Sequence, residues 1–432
     1  MLNPNQTVPV RRAVSRVAAA VLLAASALFV HAAALPEVAP EEVGMSSKRL
    51  ALIDAAMNKA VDSGELPGAV VFIARGGKLA YAKSFGWQDK EKKIPMRTDS
   101  IFRLYSMTKP VVSVAAMILV EEGRIGLQEP VSKYIPEFKE MKVGVESTDA
   151  ATGKPALTLV DAKRQITIQD LLRHTSGLTY GVLGPPTAIR KMYNDAGIFS
   201  QKWVLADFAK AIAKMPLMFE PGSGWEYGHS SDVLGRVVEV ASGQTLDVFF
   251  SERIFKPLGM VDTAFQVPAG KVDRVAQPIP DVYTGKTPEL LDLTTPQTFF
   301  AGGHGLVSTA ADYLRFAQML ENGGQLDGVR ILGRKTVDNM SANHVNDRIN
   351  KGPAWLPGHG YGFGLGFATR LETGQSEWPG SPGEYFWAGF AGTYFWVDPQ
   401  EELVPVFLSQ EPVRRQYYRI QMRNLVYQAI LE

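Results

Sequence analysis

The residues with the clearest chemical potential are a serine and a lysine three positions apart, Ser106 and Lys109. Pro110 follows them, and proline is tolerated in the first turn of an α-helix, so the sequence predicts a helix that begins near Ser106. Residues three apart share one face of a helix, which places the lysine amine beside the serine hydroxyl. A serine becomes a good nucleophile only when a base removes its proton, and a lysine held away from water can be that base. The N-terminus of the helix also directs backbone N–H groups at an oxyanion formed there.

The residues that follow this pair decide between a chemical and a structural role. A serine N-cap followed by a solvated lysine would produce the same spacing. Residues 111–120, however, are almost wholly apolar. The predicted helix is therefore buried, with Ser106 at its head, and this burial favours the chemical role.

Other catalytic signatures are absent from the sequence. It contains no G-x-S-x-G, H-E-x-x-H, G-x-x-x-x-G-K-[ST] or G-x-G-x-x-G pattern, and these patterns mark the best-known serine, zinc and nucleotide sites. The chain has no cysteine, which excludes a thiol nucleophile, a thiolate metal site and disulfides. Its 45 basic and 44 acidic residues give a net charge of +1, which argues against a large nucleic-acid footprint. We predict no metal, no cofactor and no nucleic-acid partner.

Residues 1–34 have the order of a secretory signal peptide. Three arginines lie between residues 11 and 16, residues 17–30 are apolar apart from one serine, and residues 32–34 are all alanine. The apolar run is shorter than the ~20 residues that span a bilayer, which favours cleavage near Ala34 over an uncleaved membrane anchor. Residues 35–432 would then be the catalytic domain, without a stable membrane span, exported by the Sec or the twin-arginine route to the periplasm or the medium.

Strand patterns lie at both ends of the remaining chain, and helix patterns lie between them. The predicted strands occupy residues 69–74, 78–86, 384–397 and 403–409. The predicted helices occupy residues 111–122, 168–173, 206–214, 231–242, 246–254, 310–321 and 417–431. Residues 268–300 are predicted to be irregular. The predicted fold class is therefore α+β, with one antiparallel sheet built from both chain ends, flanked by helices, and a mainly helical region inserted between them.

Five stretches of the chain together carry a family resemblance. The first runs from the serine–lysine motif through residues 130–136. The others are LLRHTSGL at 171–178, PGSGWEY at 221–227, GGHGLVST at 302–309 and WAGFAGT at 387–393. In content and order they resemble the penicillin-recognising serine hydrolases, which include class C β-lactamases, DD-peptidases and family VIII carboxylesterases. The resemblance implies a β-lactamase/DD-peptidase-like fold over most of the chain.

The resemblance also implies roles for single residues. Ser106 matches the acylated serine, Lys109 the motif lysine and Tyr227 the tyrosine of the Y-x-N motif. In that role the Tyr227 hydroxyl exchanges a proton with Ser106, the leaving group and the attacking water. A phenol needs a cationic neighbour such as Lys109 to act as a base near neutral pH. The implied oxyanion hole consists of the backbone N–H groups of Ser106 and Phe390.

Two positions depart from the lactam-processing members. His229 replaces the asparagine of Y-x-N, and Trp387 replaces the lysine of K-T-G, which helps to bind the substrate carboxylate. A W-x-G motif at this place, completed by Gly389, resembles family VIII carboxylesterases instead. His229 either contacts the substrate or the motif lysine, or is a polar residue at a helix start. His174 and His304 are predicted to be structural.

Aromatic residues crowd the predicted site. They are Tyr105, Trp225, Tyr385, Phe386, Trp387 and Phe390. Core packing explains any one of them, but together they favour an apolar acyl or alcohol group over a charged peptide tail. The candidate substrate contacts are Trp387, Gly389, His229 and Tyr105.

These observations predict an exported serine esterase that acts on a small-molecule ester through an acylated Ser106. A β-lactamase or a D-amino-acid peptidase or amidase is the alternative within the enzymes. A non-catalytic binding protein on the same scaffold is the alternative outside them. A non-catalytic protein is expected to have lost Ser106, Lys109 or Tyr227, and all three are present.

Export is testable by mass. Because the basic region, the short apolar run and the alanines at 32–34 form a cleavage signal, the protein recovered from the periplasm or medium of its native host should begin near Leu35. Intact-mass spectrometry measures this directly. A membrane-bound form that retains residues 1–34 would contradict the prediction.

Overall fold

An eight-stranded antiparallel sheet built from both ends of the chain organises the fold. The computed structural model describes residues 35–148 and 155–432, and the predicted signal peptide lies outside the described residues. The strands are β1 (Gly68–Arg75), β2 (Lys78–Asp89), β3 (Ile94–Pro95), β4 (Phe102–Arg103), β5 (Lys142–Thr148), β6 (Pro155–Asp161), β7 (Val307–Ser308), β8 (Gln325–Leu326), β9 (Val329–Arg330), β10 (Tyr361–Phe363), β11 (Ala368–Arg370), β12 (Tyr385–Ala388), β13 (Tyr394–Val397) and β14 (Leu403–Ser409). The order in the large sheet is β10-β11-β12-β13-β14-β1-β2-β3.

The helices lie mostly between the two groups of sheet strands. They are α1 (Ser47–Asp62), α2 (Thr108–Glu121), α3 (Ile168–Leu172), α4 (Ala188–Asp195), α5 (Leu205–Ile212), α6 (Ser230–Ser242), α7 (Leu246–Phe250), α8 (Lys256–Leu258), α9 (Ala310–Glu321), α10 (Arg334–Ser341) and α11 (Arg415–Tyr427). A π-helical turn, Ser251–Phe255, joins α7 to α8. No helix in residues 35–148 or 155–432 is long and apolar enough to cross a membrane.

The centre of the sheet is covered on both faces. Every residue of β14 is buried, and so is all of β1 except Arg75. Strands buried on both faces are continuously apolar instead of alternating. Helices α1 and α11 pack on each other and on these strands, and α9 packs on β1, β13 and β14. The two ends of the chain are therefore tied together by the pairing of β1 with β14.

The predicted fold class is confirmed, and most predicted elements lie within one turn of the observed ones. The hairpin of β1 and β2 and the helix at 310–321 are present as predicted. The prediction of one strand over 384–397 is wrong, because the chain turns sharply at residues 389–393 and forms β12 and β13. Helices α1, α4 and α10 and the β5–β6 and β10–β11 hairpins were not predicted.

A short ribbon fixes the start of α2. Strand β4 pairs with β7, and the Leu104 N–H donates to the Leu306 carbonyl at 2.8 Å. The Tyr313 hydroxyl donates to the Met107 carbonyl at 2.9 Å. The first two contacts bring residues 306–308 beside the residues that precede α2.

Candidate active site

Ser106 lies in a 3-10 turn, Tyr105–Met107, which leads directly into α2. The α-helix begins at Thr108, two positions later than predicted, but the tight turn still aligns the pair. The Nζ atom of Lys109 lies 3.2 Å from the Oγ atom of Ser106. Tyr105 has a φ of +48°, which is a strained conformation for a residue with a Cβ atom. Its hydroxyl accepts a hydrogen bond from the Leu291 N–H at 2.8 Å, which holds the strained residue in place.

The amine of Lys109 is buried and is surrounded by oxygen atoms. The side chain is 1% exposed. Besides Ser106, Nζ donates to the Tyr180 hydroxyl at 2.9 Å and to the Gly303 carbonyl at 2.7 Å. It also lies 4.6 Å from the ring centroid of Tyr227, a distance typical of cation–π contacts. None of these partners is a carboxylate, so the amine is oriented without being tied into an ion pair.

Tyr227 lies just before α6 and faces the same space. Its side chain is 7% exposed, and its hydroxyl accepts a hydrogen bond from the Trp387 Nε1 atom at 3.2 Å. The next residue is Gly228, where a Cβ atom would lie 2.3 Å from the Leu178 carbonyl oxygen. The chain therefore passes too close to residues 178–179 for any larger side chain, and this close passage fixes the position of Tyr227.

The turn between β12 and β13 closes the site on another side. A Cβ atom at Gly389 would lie 2.1 Å from the Leu104 carbonyl oxygen, so only glycine fits there. The Thr393 hydroxyl donates to the same carbonyl at 3.1 Å. The Phe390 ring packs on Tyr105 at 5.5 Å between centroids. Within the part of the chain that the structure describes, the Phe390 N–H has no hydrogen-bond acceptor.

These residues open into a cavity of about 350 Å³. Its walls are largely apolar and aromatic, with three arginines from α11. The described lining residues are Ser106, Leu183, Tyr227, Leu356, Pro357, Trp378, Phe386, Trp387, Ala388, Gly389, Phe390, Tyr394, Val413, Arg415, Gln416, Arg419, Ile420 and Arg423. Such a cavity is of the size that binds small organic molecules.

Two predicted substrate contacts lie elsewhere. Neither His229 nor Tyr105 is among the described residues that line the cavity. His229 is 1% exposed, packs on the Tyr180 ring and places its Nδ1 atom 2.7 Å from the Asp232 carboxylate. Tyr105 uses its hydroxyl for the hydrogen bond from Leu291. Both side chains are buried next to the site and already have hydrogen-bond partners, so they do not face the cavity.

Asp232 was not predicted, and it organises the back of the site. Its carboxylate accepts from His229 and from the Gly303 N–H at 2.8 Å. The carbonyl of Gly303 in turn accepts from Lys109. Asp232 therefore fixes the residue whose carbonyl holds the lysine. His229 and Asp232 are three positions apart at the start of a predicted helix, and this spacing was the sequence feature that could have indicated their contact.

Charge and burial set the protonation of this group. Burial alone would raise the pKa of Asp232, but the hydrogen bond from His229 and the nearby charges of His304, His229 and Lys109 lower it to about 2. Burial lowers the pKa of His304 to about 4, against the attraction of Asp232. Burial also lowers the pKa of His174. Near neutral pH the site therefore contains a charged aspartate with neutral His174 and His304 beside it.

The chain belongs to the β-lactamase family, since the model of that family, described as Beta-lactamase, matches residues 53–426. Protein Rv1367c of Mycobacterium tuberculosis is 36% identical over 375 residues, which cover 82% of this chain and 88% of that protein. Esterase EstB of Burkholderia gladioli is 37% identical over 232 residues, which cover 54% of this chain and 55% of that protein.

A solved structure resembles most of the described fold. EstCE1, a hydrolase with promiscuous acyltransferase activity, superposes with a TM-score of 0.75 at 30% identity, covering 88% of this chain and 99% of that one. The predicted resemblance to penicillin-recognising serine hydrolases, and among them to family VIII carboxylesterases, is confirmed by these matches.

The buried histidines predict how stability depends on pH. Burial lowers the pKa of His304 from its usual 6.5 to about 4 in the folded protein. Between these values acid protonates the unfolded chain but not the folded one, so stability falls as the pH falls from about 6.5 to about 4, by roughly 2–3 kcal/mol for this residue. Urea unfolding at pH 7 and pH 4.5 should show a smaller loss for His304→Gln than for the wild type.

His359 provides the matched control, because it is exposed. His359→Gln should lose as much stability as the wild type between the two pH values. Part of the loss should remain in His304→Gln, since the pKa of His174 is lowered in the same direction. An equal loss in His304→Gln and the wild type would contradict the assignment.

Proposed function

We propose that this protein is an exported esterase that hydrolyses small carboxylic esters through an acyl-enzyme on Ser106. The observation that carries the proposal is the 3.2 Å contact between the Lys109 amine and the Ser106 hydroxyl at the wall of a largely apolar cavity. EstB, named an esterase, and EstCE1, named a hydrolase, support it. In this proposal residues 1–34 are the signal peptide and residues 35–432 the catalytic domain.

The hydrogen bonds of Lys109 suit a base. A neutral amine has two N–H bonds and one lone pair. It can donate to Tyr180 and Gly303 and accept the Ser106 proton with the lone pair. After the transfer the ammonium has three N–H bonds for the same three oxygens. Both protonation states therefore fit one arrangement, and proton transfer requires no rearrangement of the site.

In the acylation step the Oγ atom of Ser106 attacks the ester carbonyl carbon, and its proton passes to Lys109. The carbonyl oxygen becomes an oxyanion, for which we propose the N–H groups of Ser106 and Phe390 as donors. When the tetrahedral intermediate collapses, the C–O bond to the alcohol breaks. Tyr227 then donates its proton to the departing alkoxide, and Lys109 returns one to Tyr227.

Deacylation repeats these steps with water. Tyr227, which lies beside Lys109, takes a proton from the attacking water as it passes its own phenol proton to Lys109. The resulting hydroxide adds to the acyl carbon, the bond to Oγ breaks, and the proton returns to Ser106. The products are the alcohol from the first step and the carboxylic acid from the second, with the enzyme unchanged.

The catalytic assignment predicts strong and separate effects. An active-site phosphonate should label Ser106, and Ser106→Ala should abolish ester turnover, because no other group supplies the acylated oxygen. Tyr227→Phe should lower kcat by ~10²–10⁴, the range for general acid–base catalysis. Steady-state kinetics with an aryl ester and peptide mapping of the adduct measure both effects.

The chain offers matched controls for both changes. Ser113 is buried on the same helix and Tyr193 is a buried tyrosine of α4, and neither is among the described residues that line the cavity. Ser113→Ala and Tyr193→Phe should retain turnover. Full activity in Ser106→Ala would end this mechanism, and near wild-type turnover in folded Tyr227→Phe would move the proton shuttle elsewhere.

Selectivity for esters over β-lactams follows from Trp387. Where lactam-processing relatives have a lysine, this side chain presents an indole to the cavity and donates to Tyr227. A missing charge-assisted hydrogen bond costs ~1.5–3 kcal/mol, or about tenfold to a hundredfold in affinity. The ratio of kcat/KM for an aryl ester to that for a cephalosporin should therefore be high, and Trp387→Lys should lower it.

Trp387→Met is the control, because it removes the indole without adding a charge. Trp387→Lys should lower the ester-to-cephalosporin ratio about tenfold or more relative to Trp387→Met. Equal ratios in the two variants would show that the missing cation is not the cause. A wild-type enzyme that prefers the cephalosporin would favour the β-lactamase alternative.

A further inference from the structure

Helix α11 presents arginines to the candidate active site at every fourth position. Arg415, Arg419 and Arg423 all line the cavity that contains Ser106. Residues four apart share one face of a helix, so the three guanidinium groups form a row along the wall. No aspartate or glutamate occurs among the described residues that line this cavity.

The innermost arginine is already neutralised. Arg423 is 1% exposed and contacts both oxygens of Glu384, at 2.7 and 2.8 Å. Glu384 also accepts from Arg370 at 3.0 Å. One buried carboxylate therefore serves two buried guanidinium groups and has no charge to spare for the other two arginines of the row.

Arg419 has no carboxylate partner within ion-pair distance in the described structure. It donates to the carbonyl of Gly389, and its Nε atom is buried without a hydrogen-bond partner. Burial, followed by repulsion from Arg415, lowers the pKa of Arg419 to about 10. The group is still charged near neutral pH, and a half-buried charge without an anionic partner is costly.

Arg415, like Arg419, has no ion pair among the described residues. It donates to the Pro412 carbonyl, and its guanidinium carbon lies 5.0 Å from the ring centroid of Phe390. The nearby carboxylate of Glu411 accepts instead from the backbone N–H groups of Val413 and Arg414. Arg415 therefore lies beside the β12–β13 turn, with donors left for a ligand.

We propose that Arg415 and Arg419 bind a carboxylate carried by the ester substrate. The inference rests on the proposed esterase function and narrows its substrate class to esters whose acyl or alcohol portion bears an anionic group. Two guanidinium groups that lack a protein anion, in a cavity without acidic lining, are completed by such a ligand. The remaining, apolar wall then holds the hydrocarbon part of the substrate.

This cation site differs in place from the lysine that Trp387 replaces. That lysine would project from strand β12, whereas Arg415 and Arg419 project from helix α11. A β-lactam has its carboxylate at a fixed position relative to the reactive carbonyl, whereas a flexible ester can extend its carboxylate to another wall. The site therefore accommodates anionic esters while the selectivity against lactams remains.

The test compares esters that differ only in charge. The first pair has the charge on the acyl side: the mono-4-nitrophenyl ester of adipic acid and its neutral isostere, the 4-nitrophenyl ester of adipamic acid. The second pair has it on the alcohol side: the butyrate esters of 4-hydroxybenzoate and 4-hydroxybenzamide. For at least one pair, kcat/KM should be about tenfold or more higher for the anion, and salt should reduce that preference.

The variants assign the preference to the two arginines. Arg415→Gln should reduce it about tenfold or more. Arg419→Gln should reduce it too, but this change also removes the hydrogen bond to Gly389, so Arg415→Gln is the cleaner variant. Arg414 is the matched control, because it lies at the start of the same helix, pairs with Glu65 and does not line the cavity. Arg414→Gln should leave the preference unchanged.

Binding separates this inference from the esterase proposal. Calorimetry should show that the Ser106→Ala variant binds the anionic ester. Adding Arg415→Gln to this variant should weaken the binding about tenfold. Turnover of neutral and anionic esters at equal kcat/KM in both pairs would overturn the carboxylate site and leave the esterase intact. Arg415-dependent binding without turnover of any ester by the wild type would overturn the esterase and retain the site.

Discussion

The rest of the site depends on the buried amine of Lys109. Lys109 has three oxygen partners, and each comes from a different part of the fold: the Tyr105–Met107 turn, Tyr180 and Gly303. Enclosing an amine without a carboxylate requires that every partner be held rigidly, because an unsatisfied donor in an apolar interior costs about 1–3 kcal/mol. The β4–β7 ribbon and Asp232 supply that rigidity.

Features of the site that depend on residues close together in the sequence could be predicted, and features that depend on tertiary contacts could not. The serine–lysine pair and the apolar run of α2 lie within a few turns, so both the helix and the contact of Ser106 with Lys109 could be predicted. The contact of Lys109 with Gly303 joins residues 194 positions apart, and no local pattern indicates it. The break between β12 and β13 was missed because the turn follows from the close approach of Gly389 to Leu104, which is a tertiary contact.

The role of His229 also could not be predicted from the sequence alone. His229 stands where relatives have an asparagine, and the sequence left open whether it contacts the substrate. In the structure it pairs with Asp232 and packs on Tyr180. An imidazole and a carboxylate in contact form a polar unit that can be buried at moderate cost when its hydrogen bonds are made. This unit lies behind Lys109 and contributes through the Gly303 residue rather than through the cavity.

The fold also separates the chemistry from recognition. Ser106 and Lys109 lie at the head of α2 and Tyr227 just before α6, which are buried segments with little freedom to change. The row of arginines lies on α11, the last helix, which packs on α1 and on β14. Pairing of β1 with β14 brings this end of the chain to the site. In the proposed mechanism α11 contributes side chains to the cavity wall but none to the proton path, so Arg415 can set which ester is bound without altering how the bond is cleaved.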